Sequence, residues 1–288
     1  MSEKKPSDIR IGAADNYWSK FESGWTNLLT YRYLGRTNPV LDKGVDSVTM
    51  PLRHDMRNIH GGIMAAPLCI AAAESGGMHD DLYIPNPITA NLQVIDDARG
   101  VNRVRVLPET VKLGRNMGFS RSLIVDDTNP DRVIALSSGS AITLGSPPPG
   151  YRPVENPPLA VEDRPDMPSL PQAFGLRHRN AAVWEIPALE RATASPDAAL
   201  HLGPQYIALE ACANELIESS VANECAQVTQ WQIMFVARGK TGPFRTKGTL
   251  IEGKNALAVR LSLVDIGDGD RIVSAASAVF KKPDANSR

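Results

Sequence analysis

The residues best suited to chemistry stand in one short run, Asn58-Ile59-His60-Gly61-Gly62, just before an apolar, alanine-rich stretch. Gly61 and Gly62 lack a Cβ, so a substrate carbonyl can come close to their backbone. If the stretch that follows is a helix, the run sits at its N-terminus. N–H groups there have no intrahelical partner and the dipole is positive. Such a place can hold the oxyanion that forms when a nucleophile adds to a carbonyl. His60 can fix the loop or donate a hydrogen bond. A second point of interest is Glu210, a carboxylate among Ile207, Ala208, Leu209, Ala211 and Cys212. A carboxylate in apolar surroundings is pushed toward a higher pKa unless it is paired.

Those residues need a frame, and the sequence supplies one by repeating itself. Ala98-Arg99-Gly100 recurs as Ala237-Arg238-Gly239, Arg121 as Arg260, and Asp131-Arg132-Val133-Ile134 as Asp270-Arg271-Ile272-Val273, each pair 139 residues apart. Gly114-Arg115 recurs at the same spacing as Gly253-Lys254. Upstream, His60 and Glu74 match His201 and Glu215 at a spacing of 141. Each copy reads as a short strand (47–52; 181–186), a helix (62–75; 204–219) and four strands. The strands are expected at 88–95, 101–113, 120–126 and 132–144, then at 227–237, 242–252, 256–265 and 271–281. Alternation such as Val259-Arg260-Leu261-Ser262-Leu263 marks sheets with one covered face. The fold class expected is α+β, with one long helix wrapped by an antiparallel sheet in each copy. A single copy leaves a sheet edge and an apolar helix face bare, so the two copies must pair.

The divisions expected are an N-terminal helical extension over 1–40, a first unit over 41–145, a connector over 146–172, a second unit over 173–283 and a tail over 284–288. The extension carries Trp18, Phe21, Trp25, Leu28, Leu29 and Tyr31, the pattern of an amphipathic helix packed on the body. Nine prolines between Ser146 and Gln172 predict an extended connector rather than packed structure.

Charge is close to balanced, with a net of -1. Neither nucleic acid nor an anionic membrane is suggested as a partner. The polar N-terminus lacks the apolar stretch of a signal peptide, and no apolar run is long enough to span a bilayer, so the cytoplasm is the expected location. Cys69, Cys212 and Cys225 are an odd number without metal-ligand spacing and read as buried free thiols. No metal or other cofactor is expected.

The run around His60-Gly61-Gly62 resembles the signature of hotdog-fold thioesterases related to the phenylacetate-pathway and 4-hydroxybenzoyl-CoA enzymes. Ile88 to Gly100 looks like the family's second strand and following turn, and Val111 to Arg115 like its third-strand end. The resemblance implies a double hotdog and an acyl-CoA substrate. It also implies a carboxylate nine residues after the histidine, as nucleophile or as base for water. In the first copy that place holds Cys69; in the second it holds Glu210, where the glycine motif has become His201-Leu202-Gly203-Pro204. Nine helical residues advance about 13.5 Å, too far for the acid to serve its own helix N-terminus. One complete site is therefore expected across the copies: His60, Gly61 and Gly62 from the first, Glu210 from the second. The reciprocal pair, His201 with Cys69, is expected to be dead or repurposed. By the same resemblance Arg115 and Lys254 would meet the phosphates of coenzyme A. Asn58, Met64 and Leu68 are further candidates for substrate contact, with Trp231 and Met234 as apolar tunnel walls. Two rival readings remain, a hotdog enoyl-CoA hydratase or dehydratase and a non-catalytic acyl-CoA-binding protein. The hydratase's Asp-x-Asn-Pro-x-His-type segment is missing. The sequence leaves open which acyl group is taken and whether the double unit pairs again as a homodimer.

Overall fold

Alternating apolar residues build one sheet, seen in a computed structural model that describes residues 28–37, 47–73, 85–114, 117–143, 159–190, 192–195, 199–220 and 226–282. The first unit contributes β1 (Val48–Pro51), β2 (Pro85–Val94), β3 (Arg103–Leu113), β4 (Met117–Asp126) and β5 (Val133–Thr143). The second contributes β6 (Arg177–Asn180), β7 (Val183–Ile186), β10 (Gln227–Phe235), β11 (Phe244–Glu252), β12 (Ala256–Asp265) and β13 (Arg271–Lys281). A separate two-stranded ladder joins β8 (Ala194–Ser195) to β9 (Ala199–Leu200). The large sheet has 11 strands in the order β1-β3-β4-β5-β2-β10-β13-β12-β11-β7-β6. Among the described residues four α-helices accompany the strands: α1 (Leu29–Leu34), α2 (Ala65–Ala72), α3 (Leu170–Ala173) and α4 (Leu202–Ser220).

The two units meet where β2 pairs antiparallel with β10, and Leu92 lies opposite Trp231. Those two residues are 139 positions apart, the spacing of the sequence repeat. A residue that faces its own repeat marks a pseudo-twofold axis. The flanking strands obey it. Ser122 pairs with Ser137 in the first unit, and their repeats Leu261 and Ala276 pair in the second. Leu92 and Trp231 both point into the core and are buried there.

The helices lie on the covered face of the sheet. α4 is 19 residues long and α2 only 8. Helix α2 starts at Ala65, three residues later than expected, because Gly61 has φ +82° and the Asn58 side chain holds the Gly62 N–H. Helix α4 starts two residues before Pro204, which sits in the first turn, where proline's missing N–H costs nothing. Arg36, from the turn after α1, closes the other end of α2. Its guanidinium donates to the carbonyls of Ala71 (3.1 Å) and Ala73 (2.7 Å).

The connector differs from the extended segment expected. Its last residues form α3, with a capping box between Ser169 and Gln172 and with Leu170 and Pro171 buried. Proline at the first or second position suits a helix start, so this proline begins structure instead of breaking it. Most of the proposed N-terminal helix, and residues 146–158 of the connector, lie outside the described residues. Among the described residues no helix is long and apolar enough to cross a membrane.

Candidate active site between the two units

Glu210 lies on α4, eight residues into the helix, with its side chain turned toward the N-terminus of α2. Its Oε1 accepts the Ala65 N–H at 2.5 Å and its Oε2 accepts the Ala66 N–H at 2.6 Å. A carboxylate of the second unit thus caps the helix of the first. The residue is 1% exposed. Burial pushes its carboxyl up to about 7, and the two N–H bonds only partly oppose this. Ala65 and Ala66 are unremarkable in sequence. They were not foreseen, because backbone donors carry no residue-type signal.

Asn58 builds the loop before α2. Its Oδ1 accepts the N–H groups of His60 and Gly62, both at 3.0 Å, and its carbonyl accepts the Gly61 N–H at 2.9 Å. The open oxyanion cradle expected of Gly61 and Gly62 is therefore not formed by those two N–H groups, since Asn58 occupies both. Asn58 thus sets the loop's shape. Gln227, at the start of β10, locks the loop from the second unit. Its Oε1 accepts from Asn58 Nδ2 at 3.2 Å and its Nε2 donates to the Ile63 carbonyl at 3.1 Å. A Cβ on Gly62 would collide with the Gln227 carboxamide, so the glycine is needed for this approach. His60 is half-buried and lies within electrostatic reach of Glu218, two turns beyond Glu210 on α4. Gln227 and Glu218 escaped the sequence reading because only the fold brings them to this loop.

The other nominated residues fall elsewhere. Leu68 is fully buried in the core, one turn inside α2, and walls no tunnel. Met64 is buried at the N-cap position of α2. Trp231 is buried at the pseudo-twofold, and Met234 is 48% exposed on the outer face of the sheet, so neither forms the expected tunnel wall. Lys254 stands exposed in the β11–β12 turn, and Arg115 lies outside the described residues. Glu215 accepts from Ala182 N–H and Trp184 Nε1 and bonds His178 at 2.9 Å, which ties the β6–β7 hairpin to α4. Glu74 is outside the described residues.

At the reciprocal position the loop has another use. His201 is buried, with Nδ1 3.1 Å from Thr30 Oγ1, and its ring stands edge-on to Tyr31. A Cβ on Gly203 would strike Thr30. Gly62 admits Gln227, and its repeat Gly203 admits Thr30, so each unit spends the same glycine on a different neighbour. Cys69, the repeat of Glu210, is buried on α2. Among the described residues no cluster of His, Cys, Asp or Glu has the make-up of a metal site.

No family model matches the sequence, and no curated protein matches it either. Solved structures do. An acyl-CoA thioesterase II from Mycobacterium marinum shares 10% identity over 90% of this chain and 100% of its own, with a TM-score of 0.54. The tesB protein of Mycobacterium avium subs paratuberculosis shares 9% identity over 92% and 100%, with a TM-score of 0.53. A conserved protein with a hot dog fold from Alicyclobacillus acidocaldarius shares 9% over 88% and 98%, also at 0.53. At these identities the likeness is one of fold. Duplication, strand order and helix placement agree with it: the chain is a double hotdog, two helix-on-sheet units joined through one continuous sheet.

Proposed function

We propose that this chain is a thioesterase that hydrolyses an acyl-CoA at the Glu210 end of the α2–α4 pair. The observation that carries the reading is a buried carboxylate, titrating near 7, held on a helix N-terminus of the opposite unit. A base poised near the working pH is half-ionised and still basic enough to take a proton. The acyl-CoA thioesterase II among the solved structures shares this fold, which supports the reading.

Glu210 acts as the base in this reading. A water adds its oxygen to the thioester carbonyl carbon and passes a proton to Glu210, while the carbonyl π pair moves onto oxygen. Once protonated, Glu210 accepts hydrogen bonds more weakly. The Ala65 and Ala66 N–H groups can then turn to the new oxyanion, stabilised also by the positive end of the α2 dipole. Collapse of the adduct breaks the carbon–sulfur bond, and the proton on Glu210 goes to the departing thiolate. Acid and thiol result. Neither metal nor redox cofactor is called for by these steps. Asn58 and Gln227 set the loop, and His60 with Glu218 flanks it.

A non-catalytic acyl-CoA-binding protein is the second reading. It is favoured by the engagement of the Gly61 and Gly62 N–H groups and by the near-complete burial of Glu210. Hydrolysis of short, long and aromatic acyl-CoAs by the wild type and Glu210→Gln separates the two. Turnover that falls by about 10²–10⁴ in a variant that still folds supports the base. Tight binding with no turnover by either protein favours the second reading. Pairing of two double units is also proposed and is read by sedimentation.

A further inference from the structure

The inner face of the sheet is not equally filled in the two units. In the second, β12 and β13 present Val259, Leu261, Ala276 and Ala278 to α4, all buried. Their repeats in the first unit are Ser120, Ser122, Ser137 and Gly139, paired in the same way across β4 and β5. Here Ser120 and Ser122 stand in place of the branched Val259 and Leu261, and Ser137 and Gly139 in place of Ala276 and Ala278, where a helix should pack. The helix above them is the short α2, whose residues are mostly small. Small side chains on both surfaces leave a gap, and a pocket of about 80 Å³ opens there. Its other walls include Cys69 from α2, Tyr206 from α4 and Phe235 from β10. This is the reciprocal position of the duplicated site.

Folded interiors close gaps of this size, and hydroxyl groups on the floor of one can bond a polar guest. The second unit shows what apolar filling looks like at these positions. We propose that the pocket beside Cys69 is a second ligand site, one that binds an uncharged acyl group carrying a hydroxyl or keto oxygen and does not hydrolyse it. Among the described residues its wall contains no Asp, Glu, Lys, Arg or His, so it offers nothing to a charged group. The serines offer donors and acceptors, and the Tyr206 and Phe235 rings, edge to face at 5.8 Å, offer an apolar surface. The space suits several waters or a short acyl branch. Cys69 stands where the other site has its carboxylate. Burial, and the nearby Glu210, raise its thiol well above the ordinary range and keep it protonated. The choice of an acyl ligand rests on the thioesterase reading; the neutrality and polarity of the pocket do not.

Calorimetric titration of the full chain tests this. The probes are 3-hydroxybutanoyl-pantetheine and pentanoyl-pantetheine analogues in which NH replaces the thioester sulfur. Two ligands per chain are expected, with the hydroxyacyl probe binding the second site about 5- to 10-fold more tightly than its apolar counterpart. Ser120→Val with Ser122→Leu installs the second unit's own residues and should remove one binding event while leaving hydrolysis within about twofold. A single ligand per wild-type chain overturns the proposal. Loss of hydrolysis in step with loss of the binding event also overturns it, because the pocket would then belong to the reacting site. Should the filled variant fail to fold, Ser137→Ala removes one hydroxyl only. An unchanged preference for the hydroxyacyl probe in that variant and in Ser122→Ala counts against the proposal. Two ligands bound without any hydrolysis would leave the pocket standing and remove the thioesterase reading instead.

Discussion

Glu210 belongs to one unit and the Ala65 N–H that it binds at 2.5 Å belongs to the other. A carboxyl that titrates near 7 in the folded chain makes a kinetic statement. If Glu210 must be ionised to accept a proton, kcat/KM for an acyl-CoA rises with pH through an apparent pKa near 7 and then levels. Glu210→Asp keeps the charge but withdraws it from the helix end, and should retain a small part of the rate with the same shape of profile. A profile that is flat from pH 5 to 8 in the wild type would take the base away from this residue.

The same group governs stability with the opposite sense to an ordinary ion pair. A carboxyl raised from 4.5 to about 7 by burial binds its proton more tightly folded than unfolded. Stability from this residue is therefore full below about pH 4.5 and is lost as pH rises toward 7. The upper bound is on the order of 3 kcal/mol. Urea unfolding of the wild type and Glu210→Gln at pH 5 and pH 8 should show the wild type losing ground relative to the variant at the higher pH. Depressed carboxyls such as Glu185, held low by Arg179 first and then by Arg245, work the other way and lose their contribution at acid pH. They are common to both proteins and cancel in the difference.

Gly62 and Gln227 are coupled by space. Gly62→Ala should cost about 1–2 kcal/mol, because the new methyl displaces the Gln227 carboxamide and breaks its bonds to Asn58 and Ile63. In a Gln227→Ala background the same change should cost much less. A double-mutant cycle by urea unfolding gives the coupling, and additive costs would show that the contact is unimportant.

Arg36 fastens the far end of α2. Arg36→Ala removes two charge-assisted bonds to the Ala71 and Ala73 carbonyls and its stacking on Tyr31. A loss of about 2–3 kcal/mol is expected. Arg36→Lys should restore little, since a single ammonium cannot reproduce the planar fork. Thermal melts of the three proteins read this out.

The repeat was plain in the sequence because short runs such as Ala98-Arg99-Gly100 and Asp131-Arg132 recur at one constant spacing, and the alternation of a covered sheet then marked the strands between them. Strands β12 and β13 fall where the pattern puts them. The β6–β7 hairpin was less legible. Its first strand, Arg177-His178-Arg179-Asn180, is exposed throughout and carries no apolar period. The helix start at Ala65 was obscured by Asn58, whose side chain competes for backbone N–H groups. Sequence also drew attention to the pairing of Glu210 with the opposite helix end, since reach along a helix is fixed by its rise. It misplaced the donors by four residues, from Gly61 and Gly62 to Ala65 and Ala66, because which N–H groups stay free depends on a loop that only the fold defines. Leu68 was misjudged for a simpler reason: an apolar helix residue looks the same whether it lines a channel or fills a core.

The connector between the units makes the two halves that meet at the Leu92–Trp231 seam one polypeptide. In a dimer of identical chains any substitution is made twice, and a carboxylate gained or lost at one site is gained or lost at its mirror image. Fusion lifts that constraint. Position by position, each half can be altered while its counterpart stays as it was, so Cys69 and Glu210 are free to answer different demands within a single molecule.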